Sequence, residues 1–383
     1  MKNVLIFGSS GSIGKNTLEI IRQDKNNFKV LGLLVNKNIK VLKKQIEEFM
    51  PRYVCVVDST QAKIIKQHLP KGINFFFGSQ GIKEFSHIRS DISVMGIVGI
   101  SCLEPVLINM EKTKRIALAS KEALVVGGHL VIEKAKKYHT EIIPIDSEIN
   151  ALFQLFKIID KNFLKKVYLT ASGGSLLDYP KSKFKYVTKK KVLRHPTWQM
   201  GNRITVDSAT LVNKGFEVME SHYLFDLDYQ CIDILIHRQS CIHALAESKD
   251  NIIFACLYAP DMRIPISFSL YYPQRIFPFK GLDFSFNNIS LSFENLDYKD
   301  FPLLKVVIEA AKRGGNLPCV INAADEVAVE YFLNDRIRFY DIYRSVDHIF
   351  SITKKEKIAG LDDILFWDNW ARFKAKGFLK SRE

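Results

Sequence analysis

Asp146, Ser147 and Glu148 stand together in PIDSEIN, residues 144–150, directly after the apolar pair Ile142 and Ile143. In an extended segment side chains alternate faces, so positions 146 and 148 would point the same way. Two converging carboxylates repel unless they share a proton, meet a cation or hold a divalent metal, and hard oxygen ligands suit magnesium or manganese. The plain alternative is a strand end reaching water, where acids are commonly only solvated. A third acid, Glu217, follows Ser208, Asn213 and Lys214 in TVDSATLVNKGFEVME, residues 205–220. A hydroxyl, an amide and an ammonium are the donors a phosphate monoester needs. Glu217 is expected to begin a helix close behind them, as a candidate third oxygen ligand. TASGG at 170–174 sets Ser172 in a glycine turn, a fair anion nest if it is not an ordinary turn. RHPTWQMGNR at 194–203 places His195, Trp198 and Met200 around a proline, as a loop able to close over a ligand or as a corner with a buried tryptophan. Any one of these clusters has a structural explanation, but together they specify one site with a divalent metal, a phosphorylated substrate and a lid.

Positioning such groups requires a scaffold. VLIFG at 4–8 reads as a buried strand that runs into GSSGSIGKNTLEIIRQ, where Gly8, Gly11 and Gly14 precede an amphipathic helix. Small residues in that turn let the backbone approach a pyrophosphate, whose charge meets amides at the helix N-terminus. A second strand, KVLGLLV at 29–35, ends in VNKN without an acid, and Lys37 suits a 2′-phosphate, so NADP(H) is preferred over NAD. The alternation continues through YVCVVD, INFFFG, DISVMGIVG, RIALAS and EIIPID, with helical stretches between most of them. That pattern predicts a doubly wound parallel sheet, with SKEA (120–123) and DSE (146–148) at the carboxyl ends of strands, where ligands sit.

At 383 residues the chain suggests two or three domains, and 47% hydrophobic residues fit a globular protein. No apolar run is long enough to cross a bilayer, and MKNVLIFGSSGSIG becomes a glycine loop where a signal peptide would show a cleavage site, so a cytoplasmic protein without a membrane partner is expected. Six cysteines are scattered without a C-x-x-C pair and read as reduced and structural. The net charge of +14 raises nucleic acid as a partner, but the lysines are dispersed, with KSKFKYVTKKK (181–191) the densest cluster. A general drift toward Lys, Ile, Asn and Phe explains the charge more simply. Residues 272–298 read as a linker, and apolar spacings of three and four beyond it predict a small helical bundle.

GSSGSIG, SKEA, PIDSE, TASGG, RHPTWQMG, VDSATLVNKGFE, IHRQSCIH, PDMRIPI and INAADEVAVEYFL, in this order between residues 8 and 333, resemble the 1-deoxy-D-xylulose 5-phosphate reductoisomerase family of the non-mevalonate isoprenoid pathway. The resemblance implies an α/β architecture: a Rossmann-like NADPH-binding domain (1–146), an α+β catalytic and dimerisation domain (147–271), the linker, and a C-terminal helical domain (299–383). It implies rearrangement of 1-deoxy-D-xylulose 5-phosphate by retro-aldol cleavage and re-aldolisation, then reduction by NADPH to 2-C-methyl-D-erythritol 4-phosphate, in a homodimer. The implied metal ligands are Asp146, Glu148 and Glu217, for magnesium or manganese, with cobalt a further candidate. Lys121, Glu148 and His195 fall at catalytic positions. Ser147, Ser172, His195, Trp198, Ser208, Asn213, Lys214 and Glu217 fall at positions that bind substrate. Cofactor positions are Gly8, Ser9, Ser10, Gly11, Ser12, Ile13, Gly14, Asn36, Lys37, Asn38, Ser120, Lys121, Glu122, Gly201 and Met262.

Three residues depart from the family pattern: Ile149 for a histidine, Ser120 for an asparagine and Asn36 for a glycine. None removes a metal ligand or phosphate donor, so activity is expected, at a reduced rate if Ile149 or Ser120 weakens the site. The competing readings are another NADP-dependent enzyme, such as a semialdehyde or homoserine dehydrogenase, and a non-catalytic NADP-binding regulator. Neither needs three acids beside an NKGFE donor cluster.

Overall fold

The computed structural model describes residues 1–380 except Gln199, Phe277, Lys280, Gly281, Asp283, Phe286 and Asn288. Part of the expected linker, one position of the expected lid and the last three residues therefore lie outside the described residues.

Seven short apolar runs form strands: β1 (Lys2–Phe7), β2 (Phe28–Val35), β3 (Tyr53–Val56), β4 (Asn74–Phe77), β5 (Ser90–Met95), β6 (Thr113–Leu118) and β7 (Glu141–Pro144). They lie in the order β4-β3-β2-β1-β5-β6-β7, and every pair is parallel. Val4, Leu5, Ile6 and Phe7 are all fully buried, as expected of a parallel strand covered on both faces. Strand order reverses beside β1, so the glycine loop that follows it sits at the switch point of the sheet. Two side chains cap helices on this side of the sheet: Asn38 accepts from the Val41 amide and Asp58 from the Gln61 amide.

The chain divides into two compact units, and the division is not sequential. The first unit contains residues 1–123, 129–150 and 261–283. Its last segment falls inside the span expected for the middle domain and the linker. The helix Arg263–Tyr271 buries Ile266, Leu270 and Tyr271 in the core of the parallel sheet. It is fastened there by Arg115, which donates to the carbonyls of Ser269 (3.2 Å) and Leu270 (3.3 Å), and by the Tyr271 hydroxyl on Asp24 (2.5 Å). A helix that buries its apolar face and finds polar partners at its C-terminal end has no reason to remain where chain order would leave it.

The second unit contains residues 124–128, 151–260 and 284–383. Its mixed sheet runs β11-β10-β8-β9-β12, built from β8 (Leu164–Ala171), β9 (Ile232–Ile236), β10 (Ile242–Ser248), β11 (Ile253–Leu257) and β12 (Glu294–Asn295). Strand β12 lies inside the span read as a linker. Helices Asn202–Thr210 and Val212–Phe225 precede β9, and helices Pro302–Arg313, Leu317–Leu333, Phe339–Ile352 and Leu361–Lys380 form the C-terminal layer. Gly215 lets Val212–Phe225 approach Pro302–Arg313 closely, because a Cβ there would lie 2.5 Å from Val307 Cγ1.

Candidate active site and metal centre

In the first unit the glycine loop is shaped by close backbone contacts. Gly8 has φ +88°, and a Cβ on it would meet the Gly96 carbonyl oxygen at 2.5 Å. A Cβ on Gly14 would lie 2.4 Å from Ser9 Cα. No side chain caps the helix Ser12–Gln23 that follows, so its first amides are presented as an anion site would need them. Ser10 is partly buried, Ser12 opens the helix and Ile13 packs against the sheet core. Ser9 is fully buried and held by Gln45, whose amide donates to the Ser9 carbonyl (2.8 Å) and accepts from the Ser9 hydroxyl (2.8 Å). Gln45 carries no signal in the sequence, since nothing local marks a glutamine on an amphipathic helix as the partner of a loop 36 residues earlier.

Asn36, Lys37 and Asn38 are exposed after β2, where the sequence places a 2′-phosphate group, although the Asn38 side chain is engaged as a helix cap. Ser120 is buried, with its hydroxyl donated to the carbonyls of Met95 (3.2 Å) and Ile97. Glu122 accepts from the Gly99 amide at 3.1 Å. Both side chains therefore brace the loop after β5. Met262 packs against the sheet core just before its helix, whereas Gly201 belongs to the second unit and precedes the helix Asn202–Thr210.

The acid pair is closer together than a solvated strand end requires: carboxylate oxygens of Asp146 and Glu148 lie within 4.8 Å of each other. Strand alternation is not the cause. Strand β7 stops at Pro144, and Ser147 begins the helix Ser147–Leu155, with the Asn150 amide donating to the Asp146 carbonyl at 2.7 Å. Asp146 thus precedes the helix and Glu148 lies in its first turn, where the exposed amides favour negative charge. Lys121, itself buried, forms an ion pair with Asp146, and the Ser147 hydroxyl donates to Glu148 at 2.5 Å. Ile149 is fully buried, which suits an apolar side chain at the position where the sequence reading expected a histidine.

The second unit holds the candidate phosphate donors in two groups. Ser172 and Ser208 flank the His195 ring, with Nε2 3.1 Å from the Ser172 hydroxyl and 3.2 Å from that of Ser208. The Ser172 hydroxyl also accepts from the Gly174 amide (3.2 Å) in a turn where Gly173 and Gly174 have positive φ. His195 Nδ1 accepts from the Thr197 (3.2 Å) and Trp198 (2.9 Å) amides, which leaves the proton of a neutral ring on Nε2. Burial pushes the His195 pKa down, which favours that neutral form. In the other group Glu217 is fully buried and accepts from Asn213 (2.6 Å) and Lys214 (2.5 Å), while Lys214 also donates to the Thr170 carbonyl (2.5 Å). Glu217 stands in the second turn of Val212–Phe225, with Asn213 and Lys214 in the first, so it does not begin that helix as the sequence suggested.

The carboxylates of Asp146 and Glu148 in one unit and of Glu217 in the other are hard oxygen donors, and lysines and hydroxyls now balance their charge. That chemistry fits magnesium or manganese and would not suit a soft metal. Trp198 and Met200 are half-buried, and the Trp198 ring lies 6.2 Å from that of His243. His243 went unassigned in the sequence reading although it ends the IHRQSCIH motif. It is buried, stacks on Tyr258 at 3.9 Å and has Nε2 3.2 Å from the Tyr258 carbonyl.

Comparison with known proteins covers the whole chain. Residues 4–128 match the family described as 1-deoxy-D-xylulose 5-phosphate reductoisomerase, 142–225 match its C-terminal domain, and 257–374 match the DXP reductoisomerase C-terminal domain. The chain is 42% identical over 380 residues to the 1-deoxy-D-xylulose 5-phosphate reductoisomerase of Thermodesulfovibrio yellowstonii, covering 98% of this chain and 99% of that one. It is 40% identical over 383 residues to that of Thermoanaerobacter pseudethanolicus, covering 99% and 100%. Among solved structures it is similar to the Zymomonas mobilis enzyme in complex with NADPH, with TM-score 0.91, 33% identity and 99% of both chains covered. A DOX-P reductoisomerase in complex with NADPH, fosmidomycin and magnesium gives TM-score 0.92 at 34% identity, covering 99% of this chain and 98% of that one. With near-complete coverage on both sides at this level of identity, the chain belongs to the 1-deoxy-D-xylulose 5-phosphate reductoisomerase family.

Proposed function

We propose that this protein converts 1-deoxy-D-xylulose 5-phosphate to 2-C-methyl-D-erythritol 4-phosphate with NADPH and a divalent metal ion. The observation that carries the reading is the full-length relationship at 42% identity. In this reading the glycine loop and the Asn36–Asn38 corner hold NADPH, with Ser120, Lys121, Glu122, Gly201 and Met262 around the nicotinamide. Asp146, Glu148 and Glu217 hold magnesium or manganese, which when bound withdraws charge from substrate oxygens as a Lewis acid. Lys121 is placed to balance the charge of Asp146 and to move a proton, and the Ser147 hydroxyl meets a substrate hydroxyl. Ser172, Ser208, Asn213 and Lys214 bind the phosphate, and neutral His195 adds an N–H donor without repelling its neighbours. Trp198 and Met200 close over the bound substrate and exclude water from reactive carbonyl fragments. The solved relative bound to NADPH, fosmidomycin and magnesium supports the same ligand set here. A plain dehydrogenase or a regulator has no use for an acid pair of this kind backed by Lys121. The reading also places the protein in the cytoplasm as a homodimer, to be checked by fractionation and by sedimentation. Among the described residues no helix is long and apolar enough to cross a membrane.

The test is NADPH oxidation with 1-deoxy-D-xylulose 5-phosphate, with each metal and with chelator. Glu217→Gln should lower metal-dependent turnover by more than the roughly 10–100-fold that loss of an outer partner of a metal ligand costs, with NADPH binding unchanged. No oxidation with any metal would refute the assignment.

A further inference from the structure

On the helix that carries Ser208 begins a partly buried charged network that the reaction itself does not call for. Arg203, on the first turn of Asn202–Thr210, donates to Glu326 (2.7 Å) and to the Asn322 side-chain oxygen (3.1 Å), both on Leu317–Leu333. Asn322 donates in turn to the same Glu326 oxygen at 3.3 Å. The other Glu326 oxygen is held by Arg372 of Leu361–Lys380, whose guanidinium also forks onto Asp368 at 2.7 and 3.0 Å. Arg203 further approaches Asp207 (3.6 Å), and Asp207 is the residue next to Ser208. Asp207 is 5% exposed and Asp325, beside Glu326, is 0% exposed.

We infer that Arg203 and Glu326 are positioning residues for phosphate recognition: the C-terminal helices, through this fork, fix the helix that carries Ser208 and so set the spacing of the Ser208–His195–Ser172 trio. The inference rests on the phosphate reading of that trio. Geometry argues for it in two ways. A guanidinium with donors committed to both Glu326 and Asn322 is fixed in orientation as well as in place. Its anchor, Glu326, is shared by a second guanidinium that is itself forked, so the contact cannot relax by a rotamer change at one residue. Burial, and after it the negative charge of Asp207, push the Asp325 carboxyl well above the ordinary carboxylate range, with Glu326 adding to the rise and Arg203 opposing it. The cation on the Ser208 helix thus has its donors committed to Glu326 and Asn322, and its influence on the anion site is indirect.

The experiment uses inorganic phosphate as a competitive inhibitor against the sugar phosphate, and calorimetric phosphate titration of the full-length protein, in Arg203→Met, Glu326→Gln and the double variant. The expected result is a rise of about 5- to 20-fold in the inhibition and dissociation constants of phosphate in either single variant. The double variant should show no larger rise, and the KM for NADPH should be unchanged. Arg203→Lys should recover part of the loss, because an ammonium can reach Glu326 but cannot fork to Asn322. An unchanged phosphate constant in Glu326→Gln overturns the inference, as does a purely additive double variant or absence of saturable phosphate binding by the unaltered protein. Absence of turnover with intact phosphate binding would refute the proposed reaction alone, because the titration does not depend on chemistry. Should Arg203→Met fail to fold, Glu326→Gln and Arg203→Lys decide the matter by the same constants.

Discussion

At the scale of single residues, several side chains of the candidate site hold one another through their polar atoms. Gln45 shows the principle: its two hydrogen bonds pin Ser9 from a helix that begins beside the Asn36–Asn38 corner, so one amide joins both parts of the proposed cofactor site. Gln45→Ala leaves two buried Ser9 atoms unpaired and should cost about 1–3 kcal/mol of stability. The KM for NADPH should rise several-fold with that for the sugar phosphate unchanged, which steady-state kinetics would read directly. His195 carries a pH signature. Its folded pKa is pushed down by burial, as is that of His237, so the unfolded chain binds more protons as pH falls below about 6.5. Stability gained from the neutral ring is therefore complete at pH 7.5 and is lost on acidification. Urea midpoints at pH 7.5 and 5.5 should differ, and His195→Gln should narrow the difference.

At the scale of elements, local pattern was enough for the strands and the glycine turn because their causes are local. Periodicity of two or unbroken apolarity makes a strand, and small residues permit a tight turn. Gly14 illustrates how tight: the Cβ of alanine would meet Ser9 Cα at 2.4 Å and the Gly8 carbonyl oxygen at 2.6 Å, neither of which can rotate away. Gly14→Ala should destabilise the first unit by about 1–3 kcal/mol and weaken NADPH binding, as measured by denaturation and by cofactor titration. The acid pair is the instructive miss. Asp146 and Glu148 are close neighbours, yet the reason offered by the sequence, strand alternation, does not apply. The chain turns into a helix at Ser147, and the first turn of that helix brings the carboxylates together. A four-residue strand followed at once by a helix cannot be distinguished, by apolar content alone, from a longer strand.

At the scale of the whole molecule, charge is buried where distant segments meet. Asp325 holds its proton more tightly in the folded chain than in the unfolded one, because its carboxyl is pushed well above the ordinary range by burial and by Asp207. A raised carboxylate pKa means that the folded state binds more protons, so this residue's contribution to stability falls as pH rises above about 4. Asp325→Asn keeps a neutral group of the same shape beside Asp207 without a proton to lose. It should therefore raise the melting temperature at pH 8 more than at pH 5, and scanning calorimetry at the two pH values would detect the crossover. The sequence alone determined the parallel sheet and the glycine turn, and it singled out the three acids and the serine, asparagine and lysine donors as candidates, because each is marked by neighbours within a few positions. Only tertiary structure decided that residues 261–283 return to the first unit, that Glu217 sits one turn into its helix, and that Arg203 is anchored by Glu326 from 123 residues away. Those outcomes depend on which apolar faces and which buried charges find one another across the chain, and side-chain pairing at such separation leaves no periodic trace in a single sequence.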